Sequence, residues 1–322
     1  MRLITGQTEI QLDRPCAVTL GKFDGVHRGH QKLIQELLKS KDQGLQTVVF
    51  TFLRPPKSVT EKTSQPVLLT SREKRSHMER LGVDIMVEYP FTEEIQHMEA
   101  EAFIRDILAG GLNMKKVIAG PDFGFGYRRR GNVALLEALA PVYGYGLQVI
   151  EKARSRDGQI ISSTRVRKEI AEGNIEKANE LLGYPYTVTG EVVHGNHLGR
   201  TFGMPTINQI PVQEKLLPPN GVYTSSVEVE GEVYQSVSNV GYKPTIEGHY
   251  PKGVETYLMG FDKDVYGRTL DVQLYHFQRE EQKFASVELL REQLHRDAQN
   301  SRAYFEIHPG LISGACAGTC SD

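Results

Sequence analysis

Three cysteines in 322 residues (Cys16, Cys316 and Cys320) are too few and too unevenly placed for a disulfide framework. Cys316 and Cys320 also miss the spacing of a C-x-x-C redox pair. Charge of one sign is missing too: 38 Lys and Arg against 40 Asp and Glu leave a net −2. That excludes a general polyanion binder, because nucleic-acid or anionic-membrane affinity needs a cationic surface. No uncharged apolar run approaches the ~20 residues of a membrane helix, and Met1 to Gln7 carry no apolar signal core. The expectation is a cytoplasmic chain with neither a membrane nor a nucleic-acid partner. A G-x-x-x-x-G-K-[ST] phosphate loop is absent, which excludes a P-loop kinase. What is present, 39% hydrophobic and 24% charged residues, suits a soluble globular protein. At ~150 residues per domain the length suggests two domains.

The two halves differ in pattern. From Ala17-Val18-Thr19-Leu20 onward, short apolar runs alternate with helical periodicity. Strands are expected at 17–20, 46–52, 85–87, 116–119 and 147–150. Helices are expected after His30 (with Leu33, Ile34, Leu37 and Leu38 as the buried stripe), over 71–81 with Ser71 as cap, over 100–108 with Gly110-Gly111 as the stop, and over 132–140. Such alternation predicts a parallel sheet covered on both faces. The stretch 170–182 reads as one helical connector. Beyond Tyr184-Pro185 the pattern becomes antiparallel: 221–241 with a hairpin turn at Glu230-Gly231, then 254–261 and 270–277, which together predict a small β-barrel closed by a helix over 286–303. The expected divisions are 1–183, 184–309 and a disordered tail at 310–322.

Two constellations carry chemistry. His27 and His30 stand three apart where the first strand feeds a helix, among Gly21, Gly25 and Gly29. A helix N-terminus offers unpaired N–H groups and the positive end of a dipole, so it receives anions. Two imidazoles there can donate to phosphate oxygens. The same pattern also fits a helix cap with two surface histidines. Ser162-Ser163-Thr164-Arg165-Val166-Arg167 begins a later helix with hydroxyls and arginines suited to phosphate, or to ordinary capping. In the second half, Gly195, Gly199 and Gly203 form a flexible loop able to wrap phosphates. Thr206 and Asn208, two apart on an extended segment, face one side and could join ATP oxygens around Mg²⁺. Glu255, among apolar and aromatic sequence neighbours, is a candidate base; a surface glutamate on a strand fits as well. The run Arg128-Arg129-Arg130 could attract an anion or simply be a solvated loop.

Gly21-Lys22-Phe23-Asp24-Gly25-Val26-His27-Arg28-Gly29-His30, with Ile161 to Arg167, resembles the H-x-G-H nucleotidyltransferases. More narrowly it looks like the adenylyltransferase half of the bacterial bifunctional riboflavin kinase/FAD synthetase family. Gly190 to Asn208, Ser238 to Thr245, Val254 to Leu258 and Phe261 to Gly267 resemble that family's riboflavin kinase half. The resemblance implies a Rossmann-like α/β domain followed by a β-barrel. It also implies phosphorylation of riboflavin by ATP to FMN, and adenylylation of FMN to FAD with release of pyrophosphate. By resemblance, Glu255 takes the ribityl proton, and Thr206 and Asn208 hold Mg²⁺. His27 and His30 act on the ATP phosphates, together with Gly21, Phe23, Asp24, Gly25, Asp122, Ser163, Thr164 and Arg167. Gly195, Gly199 and Gly203 cradle phosphate in the kinase half, and Phe125 and Arg279 contact flavin. Two places depart from the family: Thr51-Phe52-Leu53-Arg54-Pro55-Pro56 replaces Thr-Phe-Glu-Pro-His-Pro, and Asn132 replaces an acid. A kinase-only enzyme and a flavin- or nucleotide-binding regulator are the alternative readings.

Overall fold

The computed structural model describes residues 1–53, 65–195, 203–242 and 252–313. The chain forms two compact units. The first is Met1–Gln65 with Leu69–Ser162; the second takes Pro66–Leu68 and everything from Ser163 onward. Pro66–Leu68 joins the second unit through a bridge from Val67 to Lys215, whose buried ammonium donates to the Leu68 carbonyl at 2.8 Å.

In the first unit the elements run β1 (Arg2–Thr5), β2 (Cys16–Leu20), α1 (Arg28–Leu38), β3 (Gln46–Leu53), α2 (Ser71–Arg80), β4 (Ile85–Pro90) and α3 (Glu93–His97). They continue with α4 (Ala100–Ala102), which runs into a π-helical stretch Phe103–Gly111, then β5 (Met114–Ala119), α5 (Val133–Tyr143) and β6 (Gly146–Val149). All six strands are parallel, in the order β1-β4-β3-β2-β5-β6. Alternate residues of the four inner strands feed two cores, as period-2 geometry requires. Val18, Val48 and Phe50 meet Phe103, Ile104 and Leu136 on one face. Ala17, Val49 and Met86 meet Ile34, Leu37 and Met78 on the other. Strand order runs outward from β2 in one direction and from β5 in the other, so the switch point lies between them. In open α/β sheets the crevice beyond the strand C-termini at that point receives ligands.

The second unit contains α6 (Ser163–Ala171), α7 (Ile175–Leu182), β7 (Tyr186–Val193), β8 (Thr206–Gln209), β9 (Gly221–Val229), β10 (Glu232–Tyr242), β11 (Lys252–Leu258), β12 (Thr269–Arg279), α8 (Val287–Ile307) and α9 (Gly310–Ser313). Its six strands close an antiparallel barrel, β10-β11-β8-β7-β12-β9. The hairpin at Glu230-Gly231 places both residues in the left-handed region (φ 56° and 84°), the geometry of a tight turn that matches strand twist. The barrel interior is partly polar. Ser236, Ser225, Ser238 and Thr256 form a buried hydroxyl chain with links of 2.8–3.0 Å, so each buried hydroxyl keeps a partner.

Four local expectations change. The α2 cap is Thr70, not Ser71: Thr70 and Glu73 form a reciprocal capping box, which satisfies two otherwise unpaired donors. Gly110 and Gly111 lie inside the π-helical stretch instead of after it. Gly111 is needed because a Cβ there would sit 2.7 Å from the Ile10 carbonyl. The connector 170–182 is two helices, broken at Gly173 with φ 81°. Finally, α9 occupies Gly310–Ser313, where disorder was expected. The rest of the tail lies outside the described residues, as do Arg54, Pro55, Pro56 and Gly199.

Candidate active sites

The loop after β2 folds into a strained hook. Phe23 and Val26 take left-handed φ of 46° and 33° without being glycine, a conformation that persists only where surroundings enforce it. The enforcement is visible: both side chains are fully buried. The buried Asp24 carboxylate accepts from the Leu69 N–H at 3.3 Å, and the Lys74 ammonium, on α2, donates to the Lys22 carbonyl at 2.8 Å. Gly25, at φ 89°, supplies the turn at low steric cost. Gly21 keeps Phe23 close, since a Cβ there would lie 3.2 Å from the Phe23 ring.

This hook delivers His27 to the N-cap of α1, where its Nδ1 accepts from the His30 N–H at 3.3 Å. The contact fixes the tautomer: with Nδ1 as acceptor, a neutral His27 carries its proton on Nε2. The two imidazoles stack at 3.7 Å, nearly parallel. Burial pushes His27 down to about 4. His30 is also held well below its ordinary value, first by burial and then by the charges of His27 and Lys74. Both rings are therefore neutral donors near pH 7. His30 Nδ1 is buried and has no hydrogen-bond partner among the described residues. A buried polar atom in that state is costly unless a ligand reaches it.

Across the switch point, the loop after β5 carries Asp122 and Phe125. Asp122 is exposed and ion-paired with Lys152 at 2.7 Å, and Lys152 lowers its pKa. Phe125 is buried, stacks on Phe123 at 5.4 Å and touches Phe103 at 5.9 Å. Gly131 lets that ring lie against the backbone, since a Cβ would come 2.7 Å from it. Phe103 continues to Phe52, and Phe52 to the exposed Phe91 at 5.2 Å. Sequence reading missed this aromatic ledge. Its signal was an aromatic at the C-terminal end of each of two strands, Phe52 as the penultimate residue of β3 and Phe91 just after β4. Arg128 and Arg130 stand over the Tyr127 ring at 5.1 and 5.8 Å, and Arg129 lies across Gly124. Asn132 caps α5 by accepting from the Leu135 N–H at 3.0 Å. Asn caps about as well as Asp, so the missing acid costs the helix little. Ser163 and Thr164 open α6 in the second unit, where Arg167 Nε donates to the Pro66 carbonyl at 3.2 Å.

In the barrel, Asn208, Glu255 and Asn239 stand directly opposite one another across β8, β11 and β10. Opposed residues of antiparallel strands share a face with Cβ atoms about 5 Å apart. Glu255 is half-buried, and its sequence neighbours Val254 and Thr256 point into the barrel. Its cross-strand neighbours are therefore polar, with Tyr257 two residues on sharing its face, while the apolar Val254 is turned away. Thr206 donates its hydroxyl to Glu255 Oε1 at 2.7 Å. Asn208 is 4% exposed, and its Oδ1 is buried with no partner among the described residues. Gly195 lies against the Asn208 amide, where a Cβ would collide. Gly203 is an exposed turn at φ 70°. A hydroxyl, an orphaned amide oxygen and a carboxylate form an oxygen donor set that suits a hard cation. Arg279 is engaged inside the fold: it grips the buried Asp297 of α8 at 3.0 and 2.6 Å.

A parallel sheet with an imidazole-bearing helix N-terminus, and in the second unit a barrel with a carboxylate and oxygen donors, fit the class of nucleotidyl- and phosphoryl-transferases. Comparison with known proteins narrows the class. The family described as FAD synthetase matches residues 9–165, and that described as riboflavin kinase matches 182–305. The chain is 37% identical to the bifunctional riboflavin kinase/FMN adenylyltransferase of Listeria monocytogenes, over 89% of this chain and 92% of that one. It is 36% identical to those of Haemophilus influenzae (90% and 94%) and Escherichia coli K12 (91% and 93%). A solved structure described as a macrolide-efflux protein from Streptococcus pneumoniae superposes with a TM-score of 0.83 at 30% identity, over 94% of this chain and 99% of that one. No helix among the described residues is long and apolar enough to cross a membrane. The chain belongs to the bifunctional riboflavin kinase/FMN adenylyltransferase family.

Proposed function

We infer that this chain carries out two consecutive ATP-dependent transfers, riboflavin to FMN in the second unit and FMN to FAD in the first. The observation that carries the kinase assignment is the Thr206–Glu255 contact beside the orphaned Asn208 oxygen. Glu255 accepts the proton of the ribityl 5′-hydroxyl as that oxygen bonds to the γ-phosphorus of ATP. The bond from the γ-phosphorus to the β,γ-bridging oxygen breaks, and ADP leaves. Thr206 and Asn208 would hold Mg²⁺, which when bound withdraws charge from the transferring phosphoryl oxygens. Gly195 and Gly203 leave the neighbouring backbone free to approach phosphate.

In the first unit no base is needed, because the FMN phosphate is already anionic. One of its oxygens bonds to the α-phosphorus of ATP, and the bond to pyrophosphate breaks. His27, through Nε2–H, and His30 donate to the departing pyrophosphate, and the α1 N-terminus adds its dipole. Gly21, Phe23, Asp24 and Gly25 shape the hook that receives the nucleotide, and Asp122 flanks it. The ledge of Phe52, Phe91 and Phe125 offers aromatic faces to the isoalloxazine ring. The experiment is a time course with riboflavin, Mg²⁺ and ATP that resolves FMN from FAD by chromatography. FMN appearing first and FAD second supports both transfers. FMN alone would leave only the kinase, and neither product would remove the reading.

A further inference from the structure

The row Asn208–Glu255–Asn239 has a direction. On the reading above, nucleotide and metal lie on the β8 side of Glu255, where Thr206 and Asn208 stand. The acceptor must then approach from the β10 side, where Asn239 stands. Asn239 is half-buried, and its Nδ2 donates to Glu281 Oε1 at 3.0 Å. The other oxygen, Glu281 Oε2, accepts from Asn220 Nδ2 at 3.0 Å. Gly241 makes room for this carboxylate, since a Cβ there would collide with it. Glu281 thus ties together the segment before β9, the end of β10 and the segment after β12. With its donor spent on Glu281, the Asn239 amide cannot flip without losing that bond, and its Oδ1 is left as an acceptor. No described residue donates to that oxygen.

We propose that Asn239 Oδ1 accepts a hydrogen bond from the ribityl 4′-hydroxyl of riboflavin, one carbon from the reacting oxygen, and that Glu281 is the positioning residue that fixes the amide for this contact. This rests on the kinase reading and adds the acceptor subsite to it. A Glu281→Gln change keeps the shape but can supply an N–H₂ where an oxygen was needed. The Asn239 amide then loses the charged acceptor that fixes it, and its oxygen is no longer held toward the substrate.

The test is a cycle between protein and substrate on the full chain. Wild type, Asn239→Ala and Glu281→Gln are assayed for phosphorylation of riboflavin and of 4′-deoxyriboflavin, with ATP varied separately. Each variant is expected to raise KM for riboflavin about tenfold, the scale of one lost hydrogen bond, with KM for ATP unchanged and kcat within about twofold. Wild type should lose the same factor on the deoxy acceptor, and the variants should lose nothing more. A merely structural role would penalise both acceptors equally, so equal penalties overturn the proposal. An unchanged riboflavin KM in both variants overturns it as well. A wild type that makes no FMN brings down the kinase reading and this proposal with it. A wild type that makes FMN while both variants match it brings down the proposal alone.

Discussion

The two units handle the same kind of donor, a nucleoside triphosphate, with opposite equipment. The sheet unit presents neutral, buried imidazoles at a helix N-terminus. The barrel unit presents a half-buried carboxylate among amide and hydroxyl oxygens on the outer face of its strands. On the proposed assignment of the site residues, the acceptor explains the contrast. A phosphate monoester attacks as an anion, so the sheet site needs only donors for the leaving group. A ribityl hydroxyl must lose a proton, so the barrel site needs a base. Burial serves the first purpose by keeping the imidazoles uncharged. The second is served by the cross-strand placement of Glu255 beside the proposed metal ligands.

Separate sites should fail separately, and the largest effects test that. Glu255→Gln preserves shape and removes the base. FMN formation should fall by about 10³-fold, within the range for general bases, while FAD formation from FMN is retained. Riboflavin turnover near wild type would end the assignment of Glu255. The converse change, His27→Ala or His30→Ala, should reduce FAD formation from FMN by about 10²-fold, the scale of a lost anion-stabilising donor, with the kinase intact. Chromatographic rates for the two steps, measured on each variant, give the answer.

Stability sharpens the comparison further. Each unit buries one carboxylate under a forked arginine: Arg75 on Glu88 in the sheet unit, and Arg279 on Asp297 in the barrel unit. Glu88 also accepts from Thr5, and Asp297 from Gln293. Arg279→Met should destabilise the barrel unit by about 3 kcal/mol, because it leaves a buried charge short of its partner. Arg75→Met should cost the sheet unit somewhat less, since Arg75 is more exposed. Denaturant unfolding followed by probes in each unit separates the two. Equal small effects in both would show that neither clamp matters.

The imidazoles also tie the sheet unit to pH. His27 falls from its ordinary 6.5 to about 4 in the folded state. Below pH 6.5 the unfolded chain therefore takes up a proton that the folded chain refuses. Stability is full above 6.5, declines as pH falls toward about 4, and is flat below that. His27's share is about 3 kcal/mol. His27→Asn should make this slope shallower, with His30 supplying what remains, and an unaltered slope would locate the effect elsewhere. The smallest expected change is Gly231→Ala in the barrel hairpin. Nothing crowds the site, so only the positive φ is penalised, by about 1 kcal/mol in an unfolding titration.

Much of the site was legible in sequence. His27-Arg28-Gly29-His30 after an apolar run predicted a helix N-terminus bearing two imidazoles, because the strand-to-helix switch and the histidine spacing are local properties. Thr206 and Asn208 share a face for an equally local reason, the two-residue period of a strand. Asn239 and Glu281 were not legible as a pair. They lie 42 residues apart and meet only because β10, the end of β12 and Gly241 converge. Nor could sequence show Arg279 held by Asp297, since that contact depends on α8 returning to the barrel. The close approach of the Ile10 carbonyl to Gly111 in the π-helical stretch escaped too, because the two meet only in the fold.

Sequence alone determined the strand and helix periods and the residue types within each motif, since these depend on near neighbours along the chain, and through the resemblance of those motifs it pointed to the two chemistries. Tertiary structure decided which face each residue occupies in company, above all that Glu255 stands in a row with Asn208 and Asn239, away from the Val254 side chain beside it in sequence. Side chains two strands apart come together only when register is set, and register depends on every strand of the barrel at once.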